Sequence, residues 1–124
     1  MPFARPLPEL LELLSATAPE LGARLRQQMQ GFAGAFVRPY LPQRWVFVTE
    51  RETASLVVEV SGSVSAVAGV AAPPDVTVKI PYDRLRVALT TRNRVAVPPG
   101  PLEVVPHTDK GRTAFQFVRS RLGL

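Results

Sequence analysis

The chain has 124 residues, enough for one domain to close a hydrophobic core without disulfide or metal support. Hydrophobic residues make up 46% of it, which excludes a disordered tail, and the lack of cysteine excludes disulfides, thiolate metal sites and a cysteine nucleophile. The net charge is +5, and the apolar runs are far shorter than the roughly 20 residues that cross a bilayer, so we expect a cytoplasmic protein with no cleaved signal.

Two helices are predicted at the start of the chain. Pro6 and Pro8 precede a short one whose leucines crowd one side. Thr17-Ala-Pro-Glu20 has the form of a capping box, which predicts that a second helix begins there. The apolar stripe of that second helix consists of Leu21, Leu25, Met29, Phe32 and Phe36.

A meander of three strands is predicted next. Alternation of apolar and polar residues marks these strands at Arg44–Glu50, Ser55–Val60 and Val64–Val70. The connection around Arg51 is polar, and we expect solvated carboxylates at Glu50 and Glu52. Alanines on the inward side of the third strand must either meet bulky partners or enclose a space.

The next unit is a strand followed directly by a helix. Val76, Val78 and Ile80 alternate with polar residues up to Pro81, which ends the strand. From Tyr82 to Arg92, apolar residues recur at helical spacing. Each element has one apolar side, so this unit predicts helices packed on one face of a sheet.

The last part of the chain predicts a strand and a helix after a proline-rich loop. Residues 95–101 contain too much proline for regular structure. Leu102–Pro106 is a short strand, expected at a sheet edge because proline cannot donate to a ladder. Asp109 is the predicted cap of a helix whose stripe includes Phe115, Val118 and Leu122. We therefore predict a single α+β domain over residues 1–124.

This order of elements resembles the sterol carrier protein 2 family. The resemblance covers roughly residues 20 to 122 and is sharpest at Asp75-Val-Thr-Val78, together with Leu85 and Leu89. It implies a five-stranded, mainly antiparallel sheet with helices packed on one face. It also implies a hydrophobic tunnel between the layers that accepts fatty acids, acyl-CoA thioesters or sterol-like lipids.

Residue chemistry is compatible with such a tunnel, because about 0.8 kcal/mol per buried methylene makes an acyl chain a strong ligand for a dry slot. The apolar residues placed nearest to it are Phe32, Phe36, Leu85, Leu89, Phe115 and Val118. Ordinary core packing is the alternative for each of them. A ligand phosphate could be bound by Arg84, Arg92, Arg94 or Arg112.

Catalytic and metal-binding motifs are not evident. His107 is the single histidine, and with Asp109 it makes a weak metal-ligand set. Ser61-Gly-Ser63 lacks the glycine pattern of a nucleophile elbow, so Ser63 could join His107 and Asp109 in a triad only by coincidence of folding. No glycine-rich nucleotide loop is present. We expect a non-enzymatic protein without a cofactor or metal.

Two alternatives to lipid binding remain open. Trp45 and Phe47 on one strand face, with surplus arginine, are ingredients of a nucleic-acid stacking platform. An apolar helix face could instead bind a protein partner or a second copy of the chain. Thirteen arginines and thirteen prolines also fit a chain adapted to heat or a genomic bias toward arginine.

Overall fold

The computed structural model describes residues 9–29, 38–90 and 100–121. A 3-10 turn at Arg38–Tyr40 precedes the first strand. The regular elements within these ranges are α1 (Leu10–Met29), β1 (Gln43–Val48), β2 (Thr53–Val58), β3 (Val64–Ala68), β4 (Val76–Lys79), α2 (Tyr82–Thr90), β5 (Glu103–Pro106) and α3 (Asp109–Arg121).

The five strands form one sheet in the order β3-β2-β1-β4-β5. Three of the neighbouring pairs are antiparallel, whereas β1 and β4 are parallel. The sheet is therefore mixed and mainly antiparallel, and the predicted α+β fold with five strands is confirmed. Most predicted strand ends differ from the observed ones by one or two residues. For example, the third strand was predicted to reach Val70, but β3 ends at Ala68, because Gly69 has a φ of +76°.

The core lies between one face of the sheet and the helices. Trp45 and Phe47 of β1 point to this face, and so do Leu56 and Val76, the register partners of Trp45 on the two neighbouring strands. Buried residues of all three helices join them in one cluster: Leu10, Leu14, Ala18, Leu85 and Phe115. The helices thus cover one face, as their apolar stripes predicted.

The second face of the sheet is crossed by the connection between β3 and β4. These strands are separated by β2 and β1, so residues 69–75 must pass over both. The Ser55 hydroxyl on this face donates to the Gly69 carbonyl at 2.7 Å and accepts from the Ala71 N–H at 3.0 Å. These bonds satisfy a serine that is fully buried, and they hold the crossing segment against β2.

The N-terminal region contradicts the prediction of two helices, because α1 runs without a break through Pro19. The Thr17 hydroxyl donates to the Leu13 carbonyl at 2.9 Å, a contact within a continuing helix. An interior proline costs about 3 kcal/mol, whereas burying each leucine side chain contributes about 1.5–3 kcal/mol. Leu10 and Leu14 before the proline and Ala18 beside it are all buried on one stripe, so packing outweighs the local penalty.

None of the helices within the described ranges combines the length and the apolar character that a bilayer-spanning helix requires.

Candidate functional site

A hollow of about 210 Å³ lies between β5 and α3, on the helix-covered side of the sheet. Its apolar walls are Val104, Pro106 and Phe115, and the polar side chains at its border are Arg112 and Gln116. This hollow brings together two of the residues singled out from the sequence, Phe115 as a ligand wall and Arg112 as an anion-binding group.

The position of α3 is fixed at its first turn. The Thr108 hydroxyl accepts the Gly111 N–H at 3.0 Å, so Thr108 is the cap and the predicted capping role of Asp109 is wrong. The same hydroxyl donates to Asp75 Oδ1 at 2.8 Å. Gly111 lies so close to Asp75 that an added Cβ would be 2.5 Å from the Asp75 carbonyl oxygen. The first turn of α3 is therefore in close contact with Asp75, the residue that precedes β4.

Phe115 forms the floor of the hollow and rests on Trp45. The two ring centroids are 5.4 Å apart and the rings make an angle of 73°, the edge-to-face arrangement that aromatic pairs favour. The Trp45 indole N–H donates to Gln43 Oε1 at 2.9 Å, and Gln43 Nε2 donates to the Tyr40 carbonyl at 2.6 Å. Because its polar atoms are paired and its rings are packed, this floor is rigid.

Arg112 supplies positive charge at the border of the hollow. Its guanidinium lies 3.6 Å from the carboxylate of Asp109, and that carboxylate is fully exposed. Exposed ion pairs of this kind contribute about 0–1 kcal/mol, so the pair exchanges readily for another anion. Paired hydrogen bonds from a guanidinium suit a carboxylate or a phosphate.

The other predicted site residues are distributed differently. Leu85 is fully buried in the core cluster, and Leu89 packs against that cluster from a half-buried position. The Arg84 guanidinium donates to the carbonyls of Gly100 at 2.8 Å and Pro101 at 3.3 Å, so it ties α2 to the segment before β5. Outside the described residues lie Phe32, Phe36, Arg92 and Arg94, together with the side chain of Val118.

A second, open groove of about 430 Å³ was not anticipated from the sequence. It lies where β1, β4 and the segment before β5 meet, and its border carries an ion pair of 3.8 Å between Lys79 and Glu103. The residues that line it are Val48, Thr49, Glu50, Lys79, Ile80, Pro81, Pro101, Leu102 and Glu103. Three distant segments build this groove, so no local sequence pattern could reveal it.

The carboxylates beside the first hairpin have partners that sequence reasoning missed. Glu50 accepts the N–H of Tyr82, the first residue of α2, at 2.9 Å, and Glu52 accepts the N–H of Leu10, the first residue of α1. The hydrogen bond from Tyr82 is the main reason why the pKa of Glu50 lies below the ordinary glutamate value. A hydrogen bond from the backbone N–H of Glu50 itself lowers this pKa further. Helix starts lack partners for their first N–H groups, but contacts over 32 and 42 residues leave no local signal.

Ser63, His107 and Asp109 do not come together as a catalytic triad. Ser63 precedes β3 and His107 follows β5, and these strands are the two opposite edges of the sheet. Four strand spacings of about 4.8 Å separate them by about 19 Å. The His107 ring is instead 2.9 Å from the Thr77 hydroxyl. Across the described ranges, no three histidine, cysteine, aspartate or glutamate side chains gather as metal ligands would.

No protein-family model matches the chain, and no curated protein is significantly similar to it.

Proposed function

We propose that this chain is a non-enzymatic lipid-binding domain of the sterol carrier protein 2 type, which acts in the cytoplasm without a cofactor. Its ligand is a fatty acid, an acyl-CoA or a sterol-like lipid. The observation that carries the proposal is the hollow between β5 and α3, where an aromatic floor and a weakly paired arginine face the same space.

The chemistry of this hollow favours a ligand with an anionic end. A carboxylate or phosphate placed there takes hydrogen bonds from Arg112, while the first methylenes contact Phe115 and Val104. The volume of about 210 Å³ is below the 300–1,000 Å³ typical of small-molecule pockets, so the hollow accommodates one end of a long ligand. Phe32, Phe36 and Val118 lie outside the described residues or side chains, and their role as ligand contacts stays a prediction from the sequence.

The architecture supports the same proposal at the level of the fold. The resemblance implies five strands with helices on one face, and the sheet has five strands whose buried side chains meet three helices. Burial also weighs against the nucleic-acid alternative, because Trp45 is 8% exposed and Phe47 is 1% exposed. Bases stack on accessible rings, and these two rings are covered by helices.

Lipid extraction and Trp45 fluorescence test the proposal. Protein purified from its own host is expected to release a lipid of defined mass into an organic extract. Delipidated protein is then titrated with a long-chain fatty acid. Trp45 is the single tryptophan and contacts Phe115, so its emission reports occupancy of the hollow.

The substitution Arg112→Gln gives the decisive comparison. Arg112 is 59% exposed, and an ion pair at such a position contributes up to about 1 kcal/mol, so we expect fatty-acid binding to weaken by up to about fivefold. Binding of the neutral methyl ester should not change. Arg24→Gln is the control, since it removes the same charge from α1, over the other end of the sheet. Equal weakening for acid and ester, or no ligand-dependent change in Trp45 emission, would contradict the proposal.

A further inference from the structure

The strand β3 forms an outer edge of the sheet. Its one sheet neighbour is β2, and within the described ranges no strand lies along its other side. Exposed edges are usually protected by charges or prolines, because unpaired backbone groups invite another strand. The sequence Val-Ser-Ala-Val-Ala of β3 contains neither.

The hydrogen bonds of β3 show which backbone groups point outward. The Gly69 N–H donates to the Thr53 carbonyl, and the Glu59 N–H donates to the Ser63 carbonyl. In an antiparallel pair, groups facing the partner strand alternate with groups facing away. The odd-numbered residues of this strand therefore bond to β2, and the N–H and C=O groups of Val64, Ala66 and Ala68 face outward.

The segment that forms this edge is apolar and uncharged, although Arg26 of α1 lies near its first residue, since the Arg26 guanidinium and Val64 both lie beside Gly22. Val60, Val67 and Val70 are 59%, 38% and 61% exposed, and they are three of the four large hydrophobic residues that stand exposed in the described parts of the chain. Residues 60–74 include no charged side chain, in a protein where charged residues make up 20%. A second copy carries the same net charge of +5, so close approach is opposed least at an uncharged segment such as this one.

The opposite edge of the sheet differs in each respect. In β5, Glu103 is charged and exposed, and Pro106 has no N–H to donate. This edge is also short, because Pro101 stands before the strand, and the last ladder bond, from the His107 N–H to the Asp75 carbonyl, is followed almost at once by α3 at Asp109. Edge pairing is therefore favoured at β3 and disfavoured at β5, which limits the assembly to two copies.

We propose that two copies of the chain pair through β3, antiparallel and about a twofold axis at Ala66, to form a continuous sheet of ten strands. In this register Val64 faces Ala68 of the second copy, and Ser65 faces Val67 of the second copy. The outward groups of residues 64, 66 and 68 then meet their counterparts in hydrogen-bonded pairs. Such an interface is isologous and closed, as twofold interfaces are.

Light scattering and sedimentation over a range of protein concentrations measure the assembly directly. The unmodified protein is expected to shift from monomer to dimer with rising concentration. Val67→Lys places two like charges near the axis and should abolish the dimer while leaving the circular dichroism spectrum unchanged. Tyr40→Lys is the matched control, because Tyr40 is 37% exposed and lies away from β3, and it should keep the dimer.

The register has its own test, because the chain contains no cysteine. Ser65→Cys and Val67→Cys variants are oxidised separately and as a mixture. Residues facing each other across a non-hydrogen-bonded pair have Cα atoms about 4.5 Å apart, within the range for a disulfide. The mixture should give a mixed disulfide dimer in several-fold higher yield than either variant alone. A monomer at all concentrations, a larger oligomer, or equal cross-linking in all three samples would overturn the proposal.

Discussion

Two polar clusters hold the helices against the sheet, and they differ in burial. At the β1–β2 hairpin, Glu50 and Glu52 accept N–H groups from the first residues of α2 and α1. At the opposite end of β1, Asp75 accepts the Arg44 N–H at 2.9 Å and the Thr108 hydroxyl at 2.8 Å. Glu50 stands exposed at the surface and Glu52 is half-buried, whereas Asp75 is 6% exposed.

The same type of contact has different consequences in the two environments. An exposed carboxylate that loses its partner returns to water at little cost. A buried group that loses its partner keeps the full desolvation penalty of about 1–3 kcal/mol. The Asp75 cluster also joins three elements, since Lys110 donates to the Pro42 carbonyl at 2.7 Å and lies 3.7 Å from Asp75. We therefore expect substitutions at the Asp75 cluster to destabilise the fold more than substitutions at the hairpin.

Gly111→Ala is expected to have the largest effect. The new methyl group would lie 2.5 Å from the Asp75 carbonyl oxygen and 2.9 Å from its carbonyl carbon, which are backbone atoms that cannot rotate away. Alanine gains about 1 kcal/mol in helix propensity, but overpacking costs about 1–3 kcal/mol and more where backbone must move. Urea unfolding should show a net loss of about 2 kcal/mol or more.

Gly22→Ala is the matched control for that prediction. Its methyl group would meet the flexible end of Arg26 at 3.1 Å, and the nearest backbone atom is 3.6 Å away. This variant should be as stable as the unmodified protein, or more stable by up to about 1 kcal/mol. If Gly111→Ala proved equally harmless, α3 would not be held tightly against β4.

Asp75→Asn tests the buried carboxylate itself. The amide keeps the shape, but its NH2 group replaces one acceptor oxygen, so the Thr108 hydroxyl must accept where it now donates, and the charge that strengthens both bonds and pairs with Lys110 is lost. We expect a loss of about 2 kcal/mol in the free energy of unfolding, measured with urea at pH 7. Asp83→Asn on α2, where the side chain is 70% exposed, should change stability by less than about 0.5 kcal/mol. Similar losses in both variants would show that burial of Asp75 does not raise the cost of losing its charge.

The sequence was sufficient for the parts of the fold that depend on local periodicity. Alternation along β1, β2 and β4 identified the buried side chains Phe47, Leu56 and Val78, and the stripe of α2 identified Leu85. Proline chemistry was less decisive. The break expected near Pro19 does not occur, because the buried Leu14 and Ala18 before it and the half-buried Leu21 after it pack against the same core.

The candidate site was predictable only in part. Phe115 and Arg112 belong to one helix, and their spacing of three residues places them on neighbouring positions of its surface. Their partners Val104 and Pro106 come from β5, and no local pattern connects these segments. The two polar clusters could not be predicted for the same reason. Asp75, for example, meets Arg44 and Thr108 across 31 and 33 residues of the chain. Such contacts follow from topology, which periodicity does not specify.

Thr108→Val should have an intermediate effect, because it removes both the cap of α3 and the bond to Asp75. Loss of a helix cap costs about 1 kcal/mol, and valine keeps the shape of the side chain. Thr113→Val, at an exposed position of the same helix, provides the control. Hydrogen exchange should show faster opening of the first turn of α3 in Thr108→Val alone. Equal exchange in the two variants would contradict a capping role.

Glu50→Gln should have the smallest effect at neutral pH, and its signature is a dependence on pH. The hydrogen bond from Tyr82 lowers the pKa of Glu50 in the folded state, so the ionised carboxylate stabilises the fold. That contribution is complete above the ordinary glutamate pKa of about 4.3, and it is lost as the pH falls through the lower pKa of the folded protein. The unmodified protein should therefore exceed Glu50→Gln in stability at pH 7, and the difference should close in acid.

Glu59→Gln, at an exposed turn, should show no such convergence. A gap between the unmodified protein and Glu50→Gln that is constant from pH 7 to about pH 3 would mean that the contact with α2 does not depend on the charge of Glu50.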